Sequence, residues 1–160
     1  MLEPMDIKLS EAEMRLVRYL AKRKGELSLE NELEDRKVGN QSNEETDLEG
    51  IGGELAFCKL FNIYPDLSLE LKAGDRDRGD AVLLGHYVDV KTTSYSSGRL
   101  LVVPWKKGEM EFFALMTGKF PVYQFRGLAS REELMQESNL TNLGYGSTYA
   151  LSQSDLQIAI

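Results

Sequence analysis

Gly79-Asp80-Ala81-Val82-Leu83-Leu84-Gly85-His86-Tyr87-Val88-Asp89-Val90-Lys91-Thr92-Thr93 contains two apolar runs separated by Gly85-His86, the pattern of a β-hairpin closed by a short turn. A two-residue turn at Gly85-His86 sets Leu84 against Tyr87, Val82 against Asp89 and Asp80 against Lys91. Side chains alternate between faces along a strand. Asp80, Asp89 and Lys91 therefore share one face, and Ala81, Leu83, Val88 and Val90 form an apolar face for the core. Side chains directly opposed across such a pair lie about 5 Å apart at Cβ and diagonal ones about 7–8 Å. Two carboxylates at that separation can converge on one cation with an ammonium beside it.

The acid-x-lysine tripeptide alone carries no information, because it recurs at Asp6-Ile7-Lys8, Asp35-Arg36-Lys37 and Glu70-Leu71-Lys72. The third is the closest imitation, since Pro65-Asp66 precedes it. On one extended segment, however, Asp66 and Glu70 stand about 13 Å apart and cannot share an ion without a sharp bend. A hairpin brings Asp80 and Asp89 together.

Upstream, Ser10 with Glu13 forms a capping box for a helix from Ser10 to Gly25 with Leu16, Val17 and Leu20 on its apolar face. Residues 26–47 are polar, and a short helix over Leu29–Lys37 followed by a mobile Gly39–Glu45 loop is expected. Thr46 or Asp47 would cap a second helix reaching Phe61. Beyond it, strand periodicity predicts strands at Leu67–Lys72, Asp80–Leu84, Tyr87–Thr93, Leu100–Val103, Phe112–Met116 and Val122–Phe125. Ser130 with Glu133 opens a helix to Gln136, and a last strand covers Thr148–Leu151. This order indicates an α/β fold, a central mixed sheet flanked by helices.

At 160 residues the chain has the size of one domain. It divides into an N-terminal helix and polar loop (1–46), a core (47–126) and a terminal helix and strand (127–160). Cys58 and His86 are the only residues of their kinds, which excludes an internal disulfide, a Cys/His zinc site and histidine-rich metal chemistry. Any metal must be held by oxygen, which favours Mg²⁺ or Mn²⁺. The net charge is −7. Residues 1–50 carry 13 acidic and 8 basic side chains, so most of the acidity lies in the first third. The first residues lack a basic start and an apolar run, so a cytoplasmic protein is expected, in the host cytoplasm if phage-encoded.

The segments Gly50-Ile51-Gly52-Gly53-Glu54-Leu55-Ala56-Phe57, Gly79-Asp80 and Val88-Asp89-Val90-Lys91-Thr92-Thr93, in that order, resemble the PD-(D/E)XK nuclease superfamily, particularly its compact phage-type members. The resemblance spans residues 47–126 and implies a restriction-endonuclease-like αβββαβ core. It also implies a DNA nuclease in which Asp80, Asp89 and a glutamate of the first core helix hold Mg²⁺ or Mn²⁺, Lys91 acts beside them, and the products carry a 3′-hydroxyl and a 5′-phosphate. Glu54 matches the glutamate, and Gly79 stands where the family's proline usually does. The Val90 carbonyl is a further candidate metal ligand from the same strand.

Glu54 shares a helical face with Ile51, Phe57, Cys58 and Phe61, where a carboxylate is costly unless paired or bound to a cation. Glu49 is the substitute candidate. Asp75 and Asp77 read as a turn, because the glycine and glutamate of a calcium loop are misplaced. His86 reads as a hairpin-turn residue. Trp105 with Lys106 and Lys107, and separately Arg99, Lys119 and Arg126, are candidate nucleic-acid contacts. So are Thr92, Thr93 and the Ser94–Gly98 loop that follows the lysine. The alternative function is a catalytically inactive nuclease-like module for DNA binding or assembly. Coordinated cutting of both strands would require a homodimer.

Overall fold

The computed structural model describes residues 5–35, 44–69, 77–144 and 146–159. The chain begins with a short strand, β1 (Asp6–Lys8), followed by helix α1 (Glu11–Asp35) and helix α2 (Glu44–Phe61). Strands β2 (Ala81–Leu83), β3 (His86–Thr93), β4 (Leu100–Val102), β5 (Phe112–Lys119) and β6 (Val122–Ser130) come next. A single turn of helix, α3 (Arg131–Leu134), leads to β7 (Leu140–Asn142) and β8 (Ser147–Leu151). Among the described residues no helix is long and apolar enough to cross a membrane.

The fold is α/β, with a five-stranded mixed sheet in the order β1-β6-β5-β3-β2 and a three-stranded sheet in the order β4-β8-β7. Only β3 and β5 run parallel. That pairing demands a crossover, and the chain makes it by leaving the large sheet, forming β4 in the small one and returning.

Two core layers result, one on each face of the large sheet. The first packs Val17, Leu55, Ala56, Phe57 and Cys58 of the helices onto Ala81, Leu83, Val88, Val90, Ala114 and Met116. The second packs Phe113, Leu115 and Ala129 against Leu100 and Val102 of the small sheet and Leu134 of α3. The long helices thus cover one face; the expected flanking helix on the other is replaced by the small sheet and the single turn of α3. Alternation along β5 is strict: Phe112, Ala114 and Met116 face the helices, and Phe113 and Leu115 face the small sheet. On β6 the register shifts opposite Leu115/Met116, leaving Arg126 as the extra residue and keeping Phe125 and Leu128 both on the helix side.

Several boundaries differ from expectation. Helix α1 runs through Gly25 to Asp35. The glycine costs about 1 kcal/mol in a helix interior, but strong helix formers flank it and Arg23 pairs with Glu26 across it at 3.1 Å. The separate helix expected over Leu29–Lys37 is therefore the end of α1, with residues 36 and 37 outside the described residues. Most of the expected Gly39–Glu45 loop, residues 39–43, also lies outside them, and Glu44 and Glu45 already belong to α2. Thr46 and Asp47 lie inside α2, where Asp47 is buried and paired with Lys24 at 3.3 Å. Residues 67–69 are not a strand, and residues 70–72 of that expected element are outside the described residues. The helix expected to reach Gln136 stops at Leu134. β1 and β7 carry too few residues to print a strand pattern on the sequence.

The Ser10–Glu13 capping box forms as expected: the Ser10 N–H donates to the Glu13 carboxylate at 2.7 Å, and the Glu13 N–H donates to the Ser10 hydroxyl at 3.1 Å. Lys59 of α2 donates to Glu13 at 2.7 Å and to the Lys8 carbonyl at 2.9 Å, so one ammonium ties α1, α2 and β1 together. Burial alone would raise the Glu13 pKa, but the Lys59 and Ser10 hydrogen bonds outweigh it and hold the carboxyl below its usual range. A depressed acid pKa stabilises the fold above the unfolded value, and that stability is lost as pH falls through the folded value. Glu13→Gln keeps the cap and removes the charge. It should lower the melting temperature at neutral pH, and the difference from the parent should shrink to nothing in acid, as thermal melts across pH would record.

Candidate functional site

Three local features assemble the site. The first is the hairpin turn. Leu83 pairs with His86 and Val82 with Tyr87, so the turn is Leu84-Gly85 rather than Gly85-His86. Leu84 has φ 50° and Gly85 φ 82°, and two successive positive values define a type I′ turn whose twist matches the strands it joins. The turn moves one residue, the faces keep their parity and the register slides by two. Asp80, one step beyond the Ala81–Val88 pair, therefore stands opposite Asp89 instead of Lys91. The Asp80 N–H donates to the Val88 carbonyl at 2.8 Å. Ala81, Leu83, Val88 and Val90 are buried against the helices as expected. His86 is not a turn residue; it opens β3 and pairs through Nδ1 with the Glu111 carboxylate.

The second feature is the approach of α2 to the sheet. A Cβ at Gly52 would collide with the Tyr123 ring and hydroxyl, and one at Gly53 with the Thr92 side chain. The glycine pair lets the helix backbone settle onto β6 and β3, bringing Glu54 into a small pocket with Ile51, Cys58, Asp66 and Asp80. Glu49 faces another way. Its carboxylate accepts the Phe120 N–H at 2.9 Å and the Tyr123 hydroxyl at 3.2 Å, which gives it a structural role beside the β5–β6 turn.

The third feature is the turn before Asp80. Asp77 is buried, accepts the Gly79 N–H at 2.8 Å and meets Lys106 at 3.1 Å. It is a turn residue as expected, while Asp75 lies outside the described residues. Gly79 has φ 76°, and a Cβ there would lie 2.5 Å from the Val88 carbonyl oxygen. Proline, locked near −65°, cannot adopt this conformation, so a glycine here is a requirement of this backbone.

The carboxyl groups of Asp80 and Asp89 are within hydrogen-bonding contact, and Glu54 is close enough to act on Asp80 through space. Burial, then Glu54, then Asp89 push the Asp80 pKa well up; the Val90 N–H, donating to its carboxylate at 2.7 Å, opposes them. Asp89 is 5% exposed. Lys91 Nζ lies 2.8 Å from Asp89 Oδ2, yet this oxygen is buried without an aligned hydrogen bond among the described residues. Burial alone would lower the Lys91 pKa, but Asp89, with help from Asp80 and Asp77, holds it above the usual lysine value. Lys91 is therefore an ammonium. Burial, with Glu54, Asp80 and Asp66, pushes the Cys58 thiol up to about 12, so the whole pocket carries negative potential.

Hard divalent cations favour oxygen donors. Asp80, Asp89 and the Val90 carbonyl make such a set: the Val90 N–H points at Asp80, and in an extended strand the carbonyl of the same residue points to the same edge. The contact between the two carboxyls is what a cation would relieve. Among the described residues, no three Asp, Glu, His or Cys side chains are already gathered tightly enough to form a complete cage, so Glu54 stands outside the immediate pair. Asp66, dismissed in the sequence as half of an imitation motif, lines the same pocket as Glu54 and Asp80. Its partner Glu70 lies outside the described residues.

The other candidates separate clearly. Lys106 is engaged by Asp77. Arg126 bonds Thr117 at 2.7 Å and also Gln124, so it braces the bulge of β6. Trp105 is exposed next to Lys107, and Lys119 is exposed at the far end of β5. Thr92, Thr93, Tyr95 and Arg99 line an open groove that begins at Lys91. Comparison with protein-family models, curated proteins and solved structures returns no significant match.

Two stability effects follow. Because the folded Asp80 pKa is raised, the folded state binds more protons than the unfolded one, and in chelator the protein loses stability as pH rises above the ordinary aspartate value. Asp80→Asn removes the like charge while keeping the shape; it should raise the melting temperature at neutral pH in chelator and flatten this pH dependence. Gly79→Ala should destabilise by about 2 kcal/mol or more through its positive φ and the Val88 contact, measurable by denaturant titration.

Proposed function

We propose that the chain is a metal-dependent DNA nuclease hydrolysing phosphodiester bonds on a restriction-endonuclease-like core. In this reading α2 supplies the first core helix, and the β2–β3 hairpin supplies the acid and acid-x-lysine segments. The observation that carries the proposal is the direct opposition of Asp80 and Asp89 across the hairpin, carboxyl to carboxyl, with the Lys91 ammonium on the buried one. A purely structural cross-strand pair would set acid against base; two acids in contact, one of them buried, are costly unless a proton or a cation sits between them. The small sheet that replaces the second flanking helix leaves this part of the core untouched.

Asp80, Asp89 and the Val90 carbonyl would hold Mg²⁺ or Mn²⁺, with Glu54 able to join through its own movement or an intervening water. A bound divalent ion supplies charge for the scissile phosphate and acidity for the attacking water. Lys91 would orient or help deprotonate the attacking water, or place its charge beside the developing charge on the phosphate. Asp89 holds the ammonium in place. The Gly52-Gly53 contact keeps Glu54 within reach of Asp80.

The acidic net charge favours a second reading, a nuclease-like module that binds or assembles without cutting. Incubation with plasmid and with linear, branched and single-stranded DNA separates the two. Cleavage should need Mg²⁺ or Mn²⁺ and stop with chelator. Asp89→Asn and Lys91→Met should each reduce the rate roughly a hundredfold or more while retaining a cooperative melt. Full activity in either variant rejects the assignment, and failure of calorimetry to detect Mn²⁺ binding favours the module.

A further inference from the structure

We infer that the groove running from Lys91 to Arg99 takes an unstacked nucleotide of single-stranded DNA, with its base on the Tyr95 ring and its phosphate on Arg99. The inference rests on the nuclease reading and names the form of its substrate. The groove is lined by Lys91, Thr92, Thr93, Tyr95, Ser97, Gly98, Arg99, Leu101 and Leu115. Its cavity volume is about 530 Å³, within the range of roughly 300–1,000 Å³ usual for small-ligand sites.

Charge is the first argument. In a chain of net charge −7, this groove has two cations and no carboxylate on its wall. Lys91 is already committed to Asp89. Arg99 is exposed and forms no ion pair among the described residues, so it remains available to a phosphate, which a guanidinium can grip through two N–H groups.

Order is the second argument. Tyr95 is 76% exposed, and a single exposed aromatic would ordinarily mean little. Here the backbone around it is fastened. The Tyr95 N–H donates to the Thr93 hydroxyl at 3.3 Å, and the Gly98 N–H donates to the Tyr95 carbonyl at 2.9 Å. Gln153 reaches from the far end of the chain and donates to both the Ser96 and Gly98 carbonyls at 2.9 Å. A bare ring on a braced turn beside a free guanidinium is the combination single-strand sites use: a stacking surface that accepts any base, and a cation for the backbone. Because a base must leave its stack to lie on Tyr95, a duplex fits less well than a strand. The groove starts at Lys91, whose ammonium touches Asp89, so a strand held there passes the candidate centre.

The test is fluorescence anisotropy of a short labelled single-stranded oligodeoxynucleotide in chelator, alongside the same sequence as duplex and as RNA. The parent should bind the DNA strand more tightly than the duplex. Tyr95→Ala should weaken binding roughly five- to a hundredfold, as loss of one stacked base implies, and Tyr95→Phe should restore it. Arg99→Gln should reduce the slope of log affinity against log salt by about 0.7, the signature of one lost phosphate contact on a single strand. Gln153→Ala, which only positions the turn, should weaken binding without changing that slope. Equal or tighter duplex binding, preference for the RNA strand, or a Tyr95→Ala variant that binds like the parent would overturn the inference. Tyr95-dependent binding by a protein that does not cut with Mn²⁺ would sink the nuclease reading and leave the groove. Metal-dependent cutting with Tyr95-independent binding would do the reverse.

Discussion

Two carboxyl groups in contact, one of them almost wholly buried, are the constraint around which the rest of this structure is arranged. Ionised together, Asp80 and Asp89 would repel, and Asp80 responds by holding its proton well above the usual aspartate range. The fold does not separate them. It sets them opposite each other with a tight type I′ turn, buries Asp89, and brings the further acid Glu54 within range. The Lys91 ammonium and the Val90 N–H stand against this. Replacing Asp80 would relieve the like charge, whereas replacing Asp89 would strand the Lys91 ammonium, so the acids are not equivalent in what they cost the fold.

The scaffold that imposes the cost is rigid where it must be. Gly79 accepts a backbone angle that no proline could, and thereby delivers Asp80 to the start of β2 with its N–H already spent on Val88. Gly52 and Gly53 remove the side chains that would hold α2 away from Tyr123 and Thr92. Asp77 fastens the preceding turn and absorbs Lys106. Each acts by fixing the backbone that places one of the carboxylates.

The hairpin and its polarity were legible in the sequence because strand alternation has period two and survives any turn of even length. The register was not legible. Both Gly85-His86 and Leu84-Gly85 offer a glycine, and the choice depended on whether Leu84 would tolerate φ 50°, a cost set by strand twist rather than by residue preference. The same limit explains Gly25. A glycine reads as a stop when only its neighbours are considered, whereas ion pairing across it carries α1 onward. Glu54 was legible from its apolar face, but Glu49 could be set aside only once Phe120 and Tyr123 were seen to claim its carboxylate. The small sheet went unread because β7 is short, β8 was seen without its partners, and the pairing of β4 with β8 joins residues about fifty positions apart.

Charge is arranged as unevenly as conformation. Negative potential is concentrated where Glu54, Asp66 and Asp80 surround Cys58, and its effect is visible in a thiol held far from reactivity. Immediately across Lys91 the sign reverses, and the next exposed charge along the chain is Arg99. A polyanion approaching this part of the molecule meets the like charge of these acids before it reaches Lys91 and Arg99. Neutralising those acids with a divalent ion would leave Lys91 and Arg99 as the dominant local charges. On this electrostatic ground, cation binding and strand binding should be positively linked: each favours the other by reducing the same repulsion. In the nuclease reading proposed above, net acidity is thus compatible with an acidic substrate, because the ion and the strand would share one site.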